Sequence, residues 1–250
     1  MADFNQEKRD KKYNLWARKY PAFVSIVFPL LGVVYVFFGG VKDIEGLDEA
    51  YSDIEVILKV LLVFGSIIPA LFFFYIFTIR EVATSIIPRL MNKLFEINTT
   101  KLLLNNNKTF SEDRKKKIKN KVNGRYGIVI PEKERVYKCS LNRDNDYRQI
   151  VNEAVTLIRE DTRHDPILFE YNCIYGFYRN LAGGMLLNII ILVLLYFCSD
   201  SRAYIELLKW GFYIMLSVLC LSLLFVRTSG KRYAMRLFVV FLTIKDKSAK

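Results

Sequence analysis

Apolar residues in this chain gather into four runs, and most of the charged residues lie between them. Residues 22–40, AFVSIVFPLLGVVYVFFGG, carry no charged side chain, and residues 56–79, VILKVLLVFGSIIPALFFFYIFTI, carry one, Lys59, near the start. Residues 183–199, GGMLLNIIILVLLYFCS, and 210–226, WGFYIMLSVLCLSLLFV, carry none. A helix rises about 1.5 Å per residue, so the first run reaches roughly 28 Å, close to the hydrocarbon thickness of a bilayer. A helix in water needs a polar stripe, and these runs have none. The pattern therefore predicts four transmembrane helices. Pro69 is expected to kink the second without ending it, and Trp210 to sit at a membrane boundary.

The segments between the runs carry helical signals of a different kind. Residues 80–96 read as an amphipathic continuation of the second run, bent near Pro88, and the Thr- and Asn-rich stretch 98–107 as a turn region. Ser111, followed by Glu112 and Asp113, predicts a capped helix start, and Asn123-Gly124 its end. Gly127 to Ile130 is a short strand-like run stopped by Pro131. A further helix is expected over 146–160, capped by Asp146, with Ile150, Ala154, Leu157 and Ile158 on one face. Asp165-Pro166 opens the last, which leads into the third run. The predicted fold is all-α: a polytopic membrane protein of four transmembrane helices with a mainly helical cytoplasmic insert between helices two and three. Its parts are a basic N-terminus 1–21, a hairpin 22–79, a cytoplasmic domain 80–182, a second hairpin 183–226 and a basic tail 227–250.

Charge supplies the orientation. The 250 residues are 52% hydrophobic with a net charge of +12, and the excess is unevenly placed. Segment 1–21 has six Lys+Arg against three acids, while loop 41–55 has Lys42 against Asp43, Glu45, Asp48, Glu49, Asp53 and Glu55. Segment 80–182 has 20 against 13, loop 200–208 one against two, and tail 227–250 seven against one. Lys and Arg resist translocation, so both termini and the insert are expected in the cytoplasm. The first 21 residues are too polar for a signal peptide, so the first run is expected to stay attached as a membrane anchor. Cys139, Cys173, Cys198 and Cys220 show no metal-ligand or disulfide spacing, His164 is the only histidine, and no metal or other cofactor is expected.

Three constellations carry candidate chemistry. Arg114, Lys115, Lys116, Lys117, Lys119 and Lys121 form a basic run suited to lipid headgroups or other phosphates. Arg159 and His164, with four residues between them, have the spacing of the HEPN ribonuclease signature, and this resemblance implies a dimeric, membrane-tethered RNA-cleaving enzyme as the alternative reading. Residues 169–184, FEYNCIYGFYRNLAGG, place polar groups among aromatics at a membrane entrance. There Arg163, Glu170, Asn172, Tyr175, Arg179 and Asn180 form a candidate ligand or gating network, with Glu170 or Asp161 compensating Arg163 or Arg179.

Thr162, Arg163, Leu168, Asn172, Tyr175, Gly176, Phe177, Arg179, Asn180 and Gly183 resemble a motif T-R-x-x-x-x-L-x-x-E-N-x-x-Y-G-F-x-R-N-x-x-G of uncharacterised bacterial membrane proteins. Tyr171 stands where that motif has Glu, and Tyr178 where Arg is common. The resemblance implies two spans, a cytoplasmic segment and two further spans. The architecture is also similar to membrane components of anti-phage and CRISPR-linked systems. The expected function is non-enzymatic: a sensor or anchor, or an oligomeric pore-type effector, in a defence setting. Its expected partners are membrane lipid, further copies of the chain, and a protein, nucleotide or RNA at the cytoplasmic domain.

Overall fold

The computed structural model describes residues 2–26, 68–95, 99–103, 109–131, 141–197 and 202–244. The expectations for the rest of the first run, loop 41–55, the start of the second run with Lys59, Cys139 and Cys198 lie outside these residues. Among the described residues every regular element is helical, and there is no strand. Helix α1, Ala2–Tyr13, passes through a wider π segment, Asn14–Lys19, into helical residues 20–26. Helix α2, Ile68–Glu81, passes through a second π segment, Val82–Ile86, into α3, Ile87–Phe95. The expected irregularity near Pro88 takes this form: the widened turn sits where a proline ring without an N–H would otherwise meet the carbonyl one turn back.

The capped start at Ser111 is present, its Oγ accepting from the Arg114 amide at 3.4 Å. The helix it opens, α5, Glu112–Tyr126, runs past the predicted stop at Asn123-Gly124. It ends at Gly127, whose φ of 70° allows its N–H to reach the Asn123 carbonyl at 2.9 Å. Ile118 and Val122 are buried and Tyr126 is half-buried, so the apolar stripe carries the helix through the Asn-Gly pair. The strand-like run 127–130 is irregular and not a strand among the described residues, and Ile130 drops into the core. Part of the expected turn region is helical, as α4, Thr99–Leu103, because Leu102 and Leu103 are buried.

Helix α6, Leu141–Thr162, begins ahead of Asp146, which is an interior residue and not a cap. Its buried stripe is Tyr147, Val151, Ala154, Val155 and Ile158, with Ile150 and Leu157 on the flanks. Helix α7, Pro166–Phe197, starts where predicted, with Asp165 Oδ1 accepting the Leu168 amide at 2.6 Å.

The largest departure is α8, Arg202–Thr243, which continues far beyond the predicted end of the fourth run at 226. The stretch read as a basic tail supplies Ala234, Leu237, Phe238 and Phe241, all buried and spaced as one helical face. α7 and residues Leu208–Thr243 of α8 are each long and apolar enough to cross a membrane.

Two compact units result: Met1–Leu90 with Gly176–Val226, and Met91–Tyr175 with Arg227–Lys250. In the second, α4, α5, α6 and the ends of α7 and α8 enclose a single core around Phe110, Ile118, Val155, Leu168 and Phe238. Each large apolar side chain fully buried there contributes about 1.5–3 kcal/mol.

Gly124 and Gly127 should respond oppositely to alanine. A Cβ at Gly124 meets nothing within 4 Å and adds helix propensity, whereas Gly127 has the left-handed backbone that L side chains rarely adopt. Gly124→Ala is expected to stabilise α5 by about 0.5–1 kcal/mol and Gly127→Ala to cost about 1 kcal/mol. Amide hydrogen exchange across residues 112–126 measures both.

Candidate functional site

In the unit Met1–Leu90 with Gly176–Val226, one ridge of α7 carries Gly176, Asn180, Gly184 and Asn188 at steps of four, all buried. An i, i+4 row is a continuous line on a helix surface, and small residues on it let a neighbouring backbone come close. A Cβ at Gly176 would lie 2.8 Å from that of Ala17, and one at Gly184 only 2.5 Å from Ser25 Oγ. Gly183, beside the ridge, meets Ala83 and the Ile79 carbonyl of the second apolar segment at 3.1–3.2 Å.

The asparagines on the ridge tie helices together. Asn180 Nδ2 donates to the carbonyl of Ala17, and to that of Gly176 at 2.9 Å. Asn188 Nδ2 donates to the Ser25 carbonyl at 2.7 Å and approaches Met215 Sδ at 3.8 Å. The Tyr75 hydroxyl donates to Asn188 Oδ1, with the Ser25 and Gly184 carbonyls as further acceptors at 3.2 and 3.4 Å. Ser25 returns its own hydroxyl to the Pro21 carbonyl at 2.7 Å. The side-chain donors of Ser25, Tyr75, Asn180 and Asn188 thus have protein acceptors and need no water.

The residues of the predicted network occupy different environments. Asn180 is an interhelical tie. Tyr175 stacks on Tyr233 at 6.4 Å, Arg179 and Asn172 are half-buried, and Arg163 and Glu170 are exposed. Asp161, expected to serve Arg163 or Arg179, accepts from Arg125 Nε and from the Tyr126 hydroxyl. The Tyr126 hydroxyl also lies 3.3 Å from the Leu157 carbonyl. The Asp161 hydrogen bond raises the Arg125 guanidinium above its ordinary value. Burial, with the Asp161 carboxylate beside it, pushes the Tyr126 phenol well above its ordinary value near 10.

The basic run divides by burial. Lys115, only 1% exposed, reaches Glu112 at 2.8 Å, and Lys119 donates to the Pro131 carbonyl at 3.1 Å. Lys121 donates to the carbonyls of Leu242, at 3.1 Å, and Ile244, capping the negative end of α8 with a cation. Those three side chains are spent inside the unit. Lys116 and Lys117 are exposed, and Arg114 lies 5.0 Å from the Phe110 ring, leaving these three to face a phosphate. Arg159 donates to Thr99 Oγ1, and His164 stands exposed in the turn between α6 and α7.

Sequence reasoning did not single out Ser25, Tyr75 or Gly184. The signal was there in the four-residue repeat of small and amide side chains from 176 to 188. No protein family matches the chain, and neither does any curated protein or solved structure.

Two predictions come from these ties. Tyr75→Phe leaves Asn188 Oδ1 without its donor and should cost about 1–2 kcal/mol, read as a lower thermal midpoint in detergent. Tyr126 has its folded-state pKa raised, so its contribution is complete below the unfolded value near 10 and declines as pH rises through the higher folded value. Stability should therefore fall above pH 10, and Tyr126→Phe should make that fall shallower by up to one proton's worth, measured by urea unfolding across the alkaline range.

Proposed function

We propose that the chain is a four-span protein of the bacterial cytoplasmic membrane that acts as a non-enzymatic sensor and anchor. The supporting observation is where the apolar and polar side chains lie. Phe73, Phe74 and Phe77 are 72, 69 and 61% exposed along α2, and Leu194, Leu221 and Leu224 are exposed on α7 and α8. The hydrogen-bonding groups of the same helices turn inward to one another. A bilayer is the solvent that suits this inversion, because exposed aromatic faces of this extent are a liability in water.

On this reading the two basic ends and the unit built from Met91–Tyr175 and Arg227–Lys250 occupy the cytoplasm, following the excess of Lys and Arg in segments 1–21, 80–182 and 227–250. The resemblance of residues 162–183 to the bacterial membrane family supports the same placement. Arg114, Lys116 and Lys117 are the side chains left to meet an anionic partner there. α7 and α8 each contribute residues to both units, so binding at the cytoplasmic end would bias helices that continue into the membrane. Oligomerisation and a change in permeability are the response proposed. The ribonuclease alternative gains nothing from Arg159, whose guanidinium is engaged by Thr99.

Reporter fusions test the topology. A fluorescent protein at the C-terminus should fold and emit, and alkaline phosphatase within loop 41–55 should be active. The reverse pattern overturns the proposed orientation. Dye entry into cells overproducing the protein tests permeability, and exclusion of dye under all conditions leaves only the anchoring role.

A further inference from the structure

The N-terminal helix enters its unit through an exposed stripe of aromatic and cationic side chains. Trp16 and Tyr20 are exposed and meet edge to face with ring centroids 5.2 Å apart, and Phe23 beyond them is exposed too. Two cations share this stripe, Lys12 one turn before Trp16 and Lys19 one turn before Phe23, and both are exposed. Neighbouring cations are already engaged: Lys11 pairs with Glu7 at 2.7 Å, while Arg18 holds Asn14 at 2.6 Å and lies 5.5 Å from the Tyr13 ring. Lys12 and Lys19 have no acidic partner among the described residues.

The depth of this stripe within its unit can be read from α7. Ala17 abuts Gly176 and gives its carbonyl to Asn180. At the other end of the same unit, Tyr196, Lys209 and Tyr213 line an apolar cleft of about 320 Å³. Trp210 is exposed there, with Gly211 facing Leu192. Gly176 and Tyr196 are 20 residues apart on one helix, or roughly 30 Å, the thickness of a hydrocarbon core. Two aromatic belts at that separation mark two interfaces. They differ in charge: Lys209 at the second belt is paired with Glu206 at 2.7 Å, whereas Lys12 and Lys19 beside Trp16 have no acidic partner among the described residues.

We infer that the stripe Lys12, Trp16, Lys19 and Tyr20 is a docking surface for anionic phospholipid headgroups at the cytoplasmic leaflet. The aromatic rings sit at the acyl boundary, and the lysine stems run along them to place their ammonium groups among the phosphates. This inference rests on the membrane reading above. The opposite belt, with its cation neutralised, has no such preference.

The chain's two tryptophans, Trp16 and Trp210, allow each belt to be read alone. Protein carrying Trp210→Phe, reconstituted in phosphatidylcholine vesicles containing phosphatidylglycerol, reports Trp16. Protein carrying Trp16→Phe reports Trp210. Bromine is placed on the acyl chains of one lipid or the other at equal mole fraction. Trp16 emission should be quenched at least about twofold more by brominated phosphatidylglycerol than by brominated phosphatidylcholine. The preference should disappear in Lys12→Gln/Lys19→Gln. Trp210 should be quenched equally by both lipids. Equal quenching of Trp16 by both lipids overturns the inference, as does a Trp16 untouched while Trp210 is quenched. If neither tryptophan is quenched, the membrane reading itself fails.

Discussion

A hydrogen-bond donor that cannot reach water must find its acceptor within the protein, and the unit around α7 is organised by that constraint. Asn180 and Asn188 lie two turns apart on a buried ridge, and each spends its amide on a carbonyl of the N-terminal helix. Between them Gly184 lets that helix approach so closely that a methyl group would strike Ser25. The Tyr75 hydroxyl, from α2, completes the same knot. On the proposed membrane reading, apolar side chains would not drive these helices together as they would in water, and close packing and satisfied polar groups would carry the association. Exposed phenylalanines on α2 would then be the ordinary consequence of an apolar solvent.

The second unit obeys the opposite economy. Its core is an aromatic and aliphatic cluster of the kind that water produces. Lys121 illustrates the difference. In the sequence it is one of a row of cations, but in the fold its ammonium closes the C-terminal end of α8, 5.5 Å from Phe241. Arg125, Tyr126 and Asp161 form a comparable fastening between α5 and α6. Such fixtures hold a small core, closed at one side by the last turns of α8, in a single arrangement.

Much of this was legible in the sequence where a signal is local. Ser111 and Asp165 announce helix starts through a side chain that meets its own backbone three residues on, and both do so. Hydrophobic run length found the second half of α7 and the middle of α8. What escaped depends on distant partners. Gly124 and Gly127 are equally good stops by composition, and the packing of Tyr126, which lies between them, against the core decides for the second. Arg232 and Arg236 make residues 227–244 look like a solvated tail until Leu237, Phe238 and Phe241 are seen to share one face. The roles of Lys115, Lys119 and Lys121 follow from contacts that no charge count contains. Ser25 and Tyr75 are unremarkable residues of apolar runs until Asn188 is placed between them.

The account stands on the claim that the aromatic face of α2 looks into lipid. Spin labels placed one at a time at Phe73, Phe74 and Phe77 in protein reconstituted in vesicles, with a label at exposed Lys117 as the aqueous control, measure this directly. The three α2 labels should relax with oxygen, which concentrates in hydrocarbon, and ignore a water-soluble nickel chelate, while the control does the reverse. Collision of the chelate with the α2 labels as with the control would place that face in water and contradict the account.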